Sequence, residues 1–194
     1  MGMEFYGDSY KGNDEPIFVG IPTFLKLPYI KKYEELKKVN PDIAIVGEPF
    51  DFGTTIRPGT RYGPRAIRAA STVPSPPYEH FNIETGVDPF GVFKAVDYGD
   101  VNISPGDVIE SHRRMTNKVK EILDIDAIPI ILGGDHSVTF ANVRALSKKY
   151  KNIGMIHIDC HADCAPQGLC GFKYDHVAHI RRIMELGCLK GKNY

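Results

Sequence analysis

The sequence predicts an α/β protein, a three-layer αβα fold with a mainly parallel sheet. Short, continuous apolar runs recur along the chain, and such runs are typical of strands that are buried on both faces of a parallel sheet. Segments with apolar residues at helical spacing lie between those runs. An order of strand, helix, strand, helix is typical of a parallel sheet that is flanked by helices.

The predicted elements follow one another in a simple order. We expect an N-terminal arm and a short helix over residues 1–40, then a single α/β domain over 41–194. Four apolar runs predict strands at 43–47, 95–98, 128–132 and 153–158. Apolar periodicity predicts helices between them, centred on 108–123, 140–146 and 177–184. For the first of these helices, Ser104 is the expected N-cap and Pro105 the first helical residue.

The composition argues against several classes of function. The chain of 194 residues carries 24 Lys and Arg against 24 Asp and Glu, so its formal net charge is zero. A nucleic-acid partner is not expected, because that kind of binding draws on a basic surface to displace counterions. No apolar run approaches the roughly 20 residues that span a bilayer, so no membrane partner is expected.

The cysteines point to a reducing compartment. All four, Cys160, Cys164, Cys170 and Cys188, lie in the C-terminal part of the chain, where a disulfide framework would leave most of the sequence without cross-links. No Cys-x-x-Cys pair occurs, and the N-terminus lacks the pattern of a secretory signal. A cytoplasmic protein is the simplest expectation.

Acidic residues and histidines follow two of the predicted strands. Asp135 and His136 come directly after the third strand, while Asp159, His161 and Asp163 come directly after the fourth. Ligands of open parallel sheets bind at the carboxyl ends of strands. In an extended segment, the side chains at 159, 161 and 163 point the same way, which would bring two carboxylates and an imidazole together.

Such a cluster favours a bound cation. Carboxylates held close together raise each other's pKa unless a positive charge neutralises them, and an oxygen-rich set with one or two imidazoles suits Mn²⁺ or a similar hard-to-borderline ion. Two other interpretations stay open from the residues alone. The Asp-x-His-x-Asp segment could be a solvated turn, and Asp135 and Ser137 are residue types that cap helices.

A third segment connects these clusters to a known family. Residues 47–55 read Gly-Glu-Pro-Phe-Asp-Phe-Gly-Thr-Thr and run into an Arg-Pro-Gly-Thr-Arg-Tyr-Gly-Pro loop at 57–64. Together with the segments at 133–137 and 159–163, this resembles the arginase/agmatinase superfamily, the ureohydrolases, and its agmatinase-type members in particular. The arginines of the loop are expected to have a structural role, holding neighbouring carboxylates or subunits.

The resemblance implies an arginase-like fold with two Mn²⁺ ions. His136 would bind the first ion, Asp159 would bridge both, Asp163 would bind the first and His161 the second. A hydroxide that bridges the metals would attack the guanidinium carbon of a small-molecule guanidino substrate. The family also implies a homo-oligomer.

The resemblance also implies a catalytic histidine and a substrate class. His176 would give a proton to the leaving nitrogen, although a solvent-facing position in the first turn of a helix is the alternative; His179 is expected at the surface. Agmatine, hydrolysed to putrescine and urea as in polyamine biosynthesis, is the first substrate expected. A related amidinohydrolase or formiminohydrolase activity, of guanidinobutyrate, arginine or formiminoglutamate type, is the second.

One family feature has no match in this sequence. Members carry a further Ser-x-Asp-x-Asp segment that supplies more metal ligands, and nothing after Asp163 resembles it. We therefore expect a C-terminally truncated form of the fold, with one ion or none in place of two. A non-catalytic, metal-binding remnant is the alternative function.

Overall fold

A parallel sheet forms the centre of the protein. The structure, a computed structural model, describes residues 18–72 and 82–194, so residues 1–17 of the expected N-terminal arm lie outside it. Its sheet has three strands in the order β2-β1-β3, each paired in parallel with its neighbour. The strands are β1 (Ile43–Glu48), β2 (Ala95–Asp100) and β3 (Ile128–Gly133). The α/β class and the first three predicted strands are thus confirmed.

Helices connect and cover the strands. They are α1 (Tyr33–Val39), α2 (Gly63–Ser71), α3 (Pro89–Val92), α4 (Val108–Leu123), α5 (Val138–Lys149) and α6 (His179–Glu185). Short 3₁₀ segments lie at Phe24–Lys26, Thr60–Tyr62, Leu169–Gly171 and Gly191–Asn193. None of the helices within the described ranges is long and apolar enough to cross a bilayer.

The central position of β1 explains why Ile43 to Val46 are all apolar. Ala44, Ile45 and Val46 are at most 1% exposed, because β1 has a strand on each side and covered faces above and below. Val46 belongs to the main core with Phe50 and Met115 of α4. Alternation of polar and apolar residues would place a polar side chain in one of the two covered layers.

Helix α4 begins later than the sequence predicts. Its N-cap is Asp107, whose carboxylate accepts a hydrogen bond from the backbone N–H of Glu110 at 2.9 Å. Ser104 accepts from Asp107 N through its backbone oxygen at 3.1 Å, in a turn that precedes the helix. Two capping residue types three positions apart compete for one helix start, and the carboxylate gains from the positive end of the helix dipole.

The predicted fourth strand is wrong for the described part of the chain. Residues 153–158 form a single parallel bridge, between Ile153 and Leu189, and Met155 N donates to Asn193 O at 2.9 Å. Ile156 and Ile158 are 91% and 94% exposed. A buried strand needs a neighbour paired along its length and two covered faces, whereas residues 154–158 have one such backbone hydrogen bond, from Met155 to Asn193, and one exposed face.

Candidate metal centre

The loop after β1 is folded by an ion pair. Asp51 accepts hydrogen bonds from Gly59 N at 2.7 Å and from Arg61 Nε at 2.6 Å. The hydrogen bond from the guanidinium is the main reason why the pKa of Asp51 lies below its ordinary value. The expectation that an arginine of this loop holds a neighbouring carboxylate is confirmed for Arg61.

Glycines allow the loops after β1 and β3 to touch. A Cβ on Gly134 would lie 2.5 Å from the backbone oxygens of Glu48 and Phe50, and one on Gly53 would lie 2.8 Å from Ser137 Oγ. Asp135 joins the loops, since its carboxylate accepts from Gly53 N and from Ser137 N, both at 2.8 Å. Asp135 is therefore a structural residue of the loop contact, and burial raises its pKa.

His136 lies between two carboxylates. Its Nδ1 is 3.0 Å from Asp159 Oδ2 and 3.0 Å from Asp163 Oδ2. The pKa of Asp159 is lowered to about 2, first by a hydrogen bond from His161 N and then by the neighbouring imidazoles. Three of the four residues expected as metal ligands are thus brought together at one point.

His161, the fourth, contacts Asp159 and Cys160, and no described contact joins it to His136 or Asp163. Its Nδ1 lies 3.4 Å from Asp159 Oδ1, and its side chain is 75% exposed. The side chains at 159, 161 and 163 do not alternate as in a strand, because Asp159 accepts from His161 N in a tight turn and Asp163 has a left-handed backbone, with φ of 47°. Cys160 Sγ lies 3.2 Å from His161 Nδ1 on the same exposed turn.

His157 is a site residue that sequence reasoning missed. Its Nδ1 is 2.6 Å from the hydroxyl of Tyr194, and its Nε2 lies 3.6 Å from Asp159 Oδ2. This Nε2 is buried and has no hydrogen-bond partner within the described ranges. A signal was available, because His157 precedes Asp159 by two positions and an extended chain would place both on one side.

His179 is buried, so the expectation that it lies at the surface is wrong. It is 1% exposed, its ring centroid lies 3.9 Å from that of His136, and its Nδ1 is 3.7 Å from Asp163 Oδ2. Burial lowers the pKa of His179 to about 3, which leaves a neutral imidazole near pH 7. Sequence could not predict this, since His179 is the first residue of a short helix and its burial depends on how that helix packs.

The cluster as a whole fits a bound cation. One ligand atom each from His136, His157, Asp163 and His179 lies within 4.8 Å of the other three. Asp159, Cys160 and His161 form a second, exposed group of possible ligands beside it. Two carboxylates share one imidazole, and buried nitrogens beside them have no partner among residues 18–72 and 82–194. A divalent ion would neutralise the charge and take up those nitrogens.

His176 is held by the loop after β1. Its Nε2 lies 2.9 Å from Thr55 Oγ1 and accepts a hydrogen bond from Thr55 N at 3.3 Å. A backbone N–H only donates, so the neutral ring carries its proton on Nδ1. The neighbouring Asp175 makes no described contact with this ring; its carboxylate accepts from Val177 N at 3.2 Å. Thr55 is a second residue that sequence reasoning missed.

A family model identifies the class of protein to which this fold and cluster correspond. The model of the arginase family matches residues 41–194. The chain therefore belongs to the arginase family, and the resemblance stated from the sequence is confirmed. Guanidinobutyrase of Pseudomonas aeruginosa is 39% identical over 90% of this chain and 52% of its own length. Mitochondrial agmatinase of Gallus gallus is 36% identical over 88% of this chain and 47% of its own.

Solved structures show the same fold. Proclavaminate amidino hydrolase from Streptomyces clavuligerus matches 90% of this chain and 55% of its own, with a TM-score of 0.79 and 30% identity. Trypanosoma cruzi formiminoglutamase, solved with Mn²⁺, matches 90% of this chain and 56% of its own, with a TM-score of 0.72 and 27% identity. The chain spans about half the length of the curated relatives it matches.

Proposed function

We propose that the protein hydrolyses a guanidino compound in a metal-dependent reaction that releases urea and an amine. The observation that carries the proposal is the position of His136, whose Nδ1 lies 3.0 Å from both Asp159 and Asp163 in a chain of the arginase family. Agmatine is the first substrate to test. Guanidinobutyrate is the second, because a guanidinobutyrase is 39% identical to this chain.

The metal would be held by His136, Asp159, Asp163 and His161. We propose Mn²⁺, since carboxylate-rich sets suit that ion and a formiminoglutamase of the same fold was solved with it. Bound divalent ions supply a coordinated water whose pKa is lowered toward neutrality. Asp159 and Asp163 contribute negative charge that would attract the cationic guanidinium as well as the metal.

His176 is the residue we assign to proton transfer. Cleavage of the C–N bond leaves an amine nitrogen that needs a proton, and an imidazole is suited to give one near neutral pH. Thr55 fixes the ring through two contacts to Nε2, at 2.9 and 3.3 Å. The segment that carries His176 is itself tied to the site, because His176 N donates to Gly53 O at 3.2 Å.

A non-catalytic, metal-binding role is the second candidate, and one observation favours it. Beyond Asp163 the sequence contains one aspartate and one glutamate. Glu185 pairs with Arg182 at 2.8 Å, and Asp175 accepts from Val177 N. Neither carboxylate contacts the cluster in the described part of the chain, so Asp159 and Asp163 are the carboxylates that these residues bring to it.

Urea release decides between the two. Agmatine, 4-guanidinobutyrate, arginine and formiminoglutamate are each incubated with the full-length protein and Mn²⁺, and urea or, for the last, formamide is measured. We expect turnover of one compound, lost on chelation and reduced by His176→Asn. Turnover that persists without metal, or metal binding without turnover of any compound, would contradict the hydrolase. Sedimentation of the same sample tests the homo-oligomer that we also propose.

A further inference from the structure

A cavity beside α4 shares no residue with the metal cluster. It lies between α4, the end of β2 and the start of α1, and its volume is about 330 Å³, enough for a small organic molecule. Five charged side chains line it: Lys31, Asp100, Arg114, Lys118 and Glu121. None of them takes part in the proposed hydrolysis, so the cavity is a separate candidate site.

Lys118 of α4 lies on the face of an aromatic ring. Its Nζ is 3.0 Å from the centroid of the Tyr98 ring, and Tyr98 itself is 1% exposed. No carboxylate in the described part of the chain forms an ion pair with this Nζ. The carboxylate of Glu121 attracts it from further away and accepts a hydrogen bond from Tyr98 Oη at 2.6 Å. A ring face attracts an ammonium less strongly than the water that it replaces, so this position favours the neutral amine more than an exposed position does.

The other charged groups around the cavity leave it with positive charge for a ligand. The titratable groups that line it with Lys118 are Lys31 and Tyr33 beside the start of α1, Tyr98 and Asp100 of β2, and Arg114 and Glu121 of α4. Asp100 is already paired with Arg68, at 2.5 Å. Arg113 and Arg114 share the single carboxylate of Glu110, at 2.6 and 2.7 Å. The cavity therefore favours a ligand that carries an anionic group.

The amine of Lys118 is partly neutral near physiological pH. Burial is the main cause, and it lowers the pKa of Lys118 to about 8. About one amine in ten is then neutral at pH 7, against roughly one in 2,500 for a lysine with the ordinary pKa of about 10.4. The neutral amine is the form that attacks a carbonyl carbon, and a desolvated lysine is activated in this way.

We propose that Lys118 is a nucleophilic amine that forms an imine with a small aldehyde carrying an anionic group, which Lys31 and Arg114 hold. The amine nitrogen attacks the aldehyde carbon, a C–N bond forms, and one electron pair of the C=O bond moves to the oxygen. The two protons of the nitrogen then leave with that oxygen as water, and a C=N bond forms. One amine and one aldehyde give one imine and one water, with no oxidant or reductant.

Pyridoxal 5′-phosphate is the probe, because it is a small aldehyde with a phosphate group. The full-length protein is incubated with less than one equivalent at pH 7, the imine is reduced with borohydride, and the labelled peptides are quantified by mass spectrometry. We expect Lys118 to be labelled at least tenfold faster than Lys120, an exposed lysine of the same helix. The comparison is made within one protein, so it needs no variant to fold.

Two further measurements separate the amine from the anion site. Inorganic phosphate, added at constant ionic strength, should slow the labelling of Lys118 severalfold and leave Lys120 unaffected, because it competes for Lys31 and Arg114. With acetic anhydride, which carries no charge, the labelling rate of Lys118 should rise with pH and level off above about 8. The rate for Lys120 should still be rising at pH 9.

Lys31→Gln tests the anion site directly. It should slow the labelling of Lys118 by pyridoxal 5′-phosphate at least threefold, because an anion partner is lost, and leave labelling by acetic anhydride unchanged. Lys148→Gln is the matched control, since it removes the same charge at an exposed position on α5. Both labelling rates of this control should equal those of the unaltered protein.

Two results would overturn the inference. Labelling of Lys118 that is no faster than that of Lys120 with either reagent would show that its amine is an ordinary ammonium. Labelling by pyridoxal 5′-phosphate that neither inorganic phosphate nor Lys31→Gln slows would refute the proposed ligand class. Neither result depends on urea release, so the inference is tested independently of the proposed hydrolysis.

Discussion

Arg68 of α2 holds Asp97 of β2 in a two-point contact inside the protein. Its Nε donates to Asp97 Oδ2 at 2.7 Å and its Nη2 to Oδ1 at 2.9 Å. The two side chains are 9% and 1% exposed. Phe24 N also donates to Asp97 at 2.8 Å, so this one carboxylate joins a helix, a strand and the chain before α1.

Replacing Arg68 with methionine should destabilise the fold strongly. The change leaves Asp97 buried without its cation, and loss of one partner of a buried ion pair costs about 3–5 kcal/mol. Denaturant unfolding measures the free energy. Arg65→Met, on an exposed position of the same helix, is the control and should change stability by less than about 0.5 kcal/mol. Equal effects of the two variants would show that Asp97 is compensated in another way.

Glu48, the last residue of β1, should make stability depend on pH. It is 0% exposed, its Oε2 accepts from Asn142 Nδ2 at 3.0 Å, and burial raises the pKa of its carboxyl to about 8. Because the pKa of Glu48 is higher in the folded protein than in the unfolded chain, the stabilising contribution of its bound proton is fully present below the pKa of the unfolded chain. That contribution is lost as the pH rises through about 8.

The expected loss between pH 6 and pH 9 is about 2–3 kcal/mol. Glu48→Gln removes the titrating group, so its unfolding free energy should be flatter over this range and should exceed that of the parent above pH 8. Glu34→Gln, at a position whose side chain is 78% exposed, serves as the control and should follow the parent curve. Parallel curves for the parent and Glu48→Gln would refute the prediction.

The strands could be predicted where burial is decided by the strand itself and its immediate neighbours. The apolar run of β1 predicts a covered central strand, and Ala44 to Val46 are buried as expected. Residues 153–158 have the same pattern, yet Ile156 and Ile158 are exposed, since pairing requires a neighbour that the local sequence does not specify. Apolar composition predicts that a segment tends to be buried. Whether it is buried depends on the elements that surround it.

The sequence predicts which two segments carry the site, the one after β3 and the one after residues 153–158. His136 follows β3 and converges with Asp159 and Asp163 as predicted, although the segment that precedes Asp159 is not a strand of the sheet. His161 departs from the expected direction because the chain turns there, where Asp159 accepts a hydrogen bond from His161 N. The burial of His179 depends on the packing of α6 against the loop that carries Asp163, a contact between segments that periodicity does not describe.

Thr55→Val should slow the proposed reaction without removing the catalytic group. The substitution keeps the shape of Thr55 and its backbone N–H, and deletes the hydroxyl that lies 2.9 Å from His176 Nε2. A hydrogen bond of about 0.5–1.5 kcal/mol corresponds to a two- to tenfold lower kcat, whereas His176→Asn should cost about 10²–10⁴-fold. Urea release at saturating substrate measures both.

Thr72→Val is the control for Thr55→Val, since the Thr72 hydroxyl bonds to Ala69 O at the end of α2. It should leave kcat unchanged. A fall in kcat for Thr55→Val as large as that for His176→Asn would mean that Thr55 does more than orient the ring. No fall at all would mean that the backbone N–H of Thr55 is sufficient.

Gly168→Ala should disturb the segment that carries His176. A Cβ at Gly168 would lie 1.1 Å from Asp175 Oδ2, so the buried carboxylate would have to move. We expect a loss of about 1–3 kcal/mol in unfolding free energy, together with reduced activity, because Asp175 precedes His176 directly. Gly154→Ala is the control, since a Cβ there meets nothing within 4 Å. An unchanged melting temperature for Gly168→Ala would show that the loop relaxes around the methyl group.

Metal should stabilise the folded protein by an amount that grows with the logarithm of the metal concentration. Asp159 and Asp163 both lie 3.0 Å from His136 Nδ1, so without a cation the folded state holds two carboxylates close together, a repulsion that a bound ion removes. An ion that binds only the folded state at about 100 times its Kd adds about 2.7 kcal/mol. Thermal melts with increasing Mn²⁺ or Zn²⁺ should show rising transition temperatures, reversed by a chelator. Asp163→Asn should abolish most of the rise in transition temperature. A transition temperature that is unchanged by either metal up to millimolar concentrations would contradict every metal assignment made for this cluster.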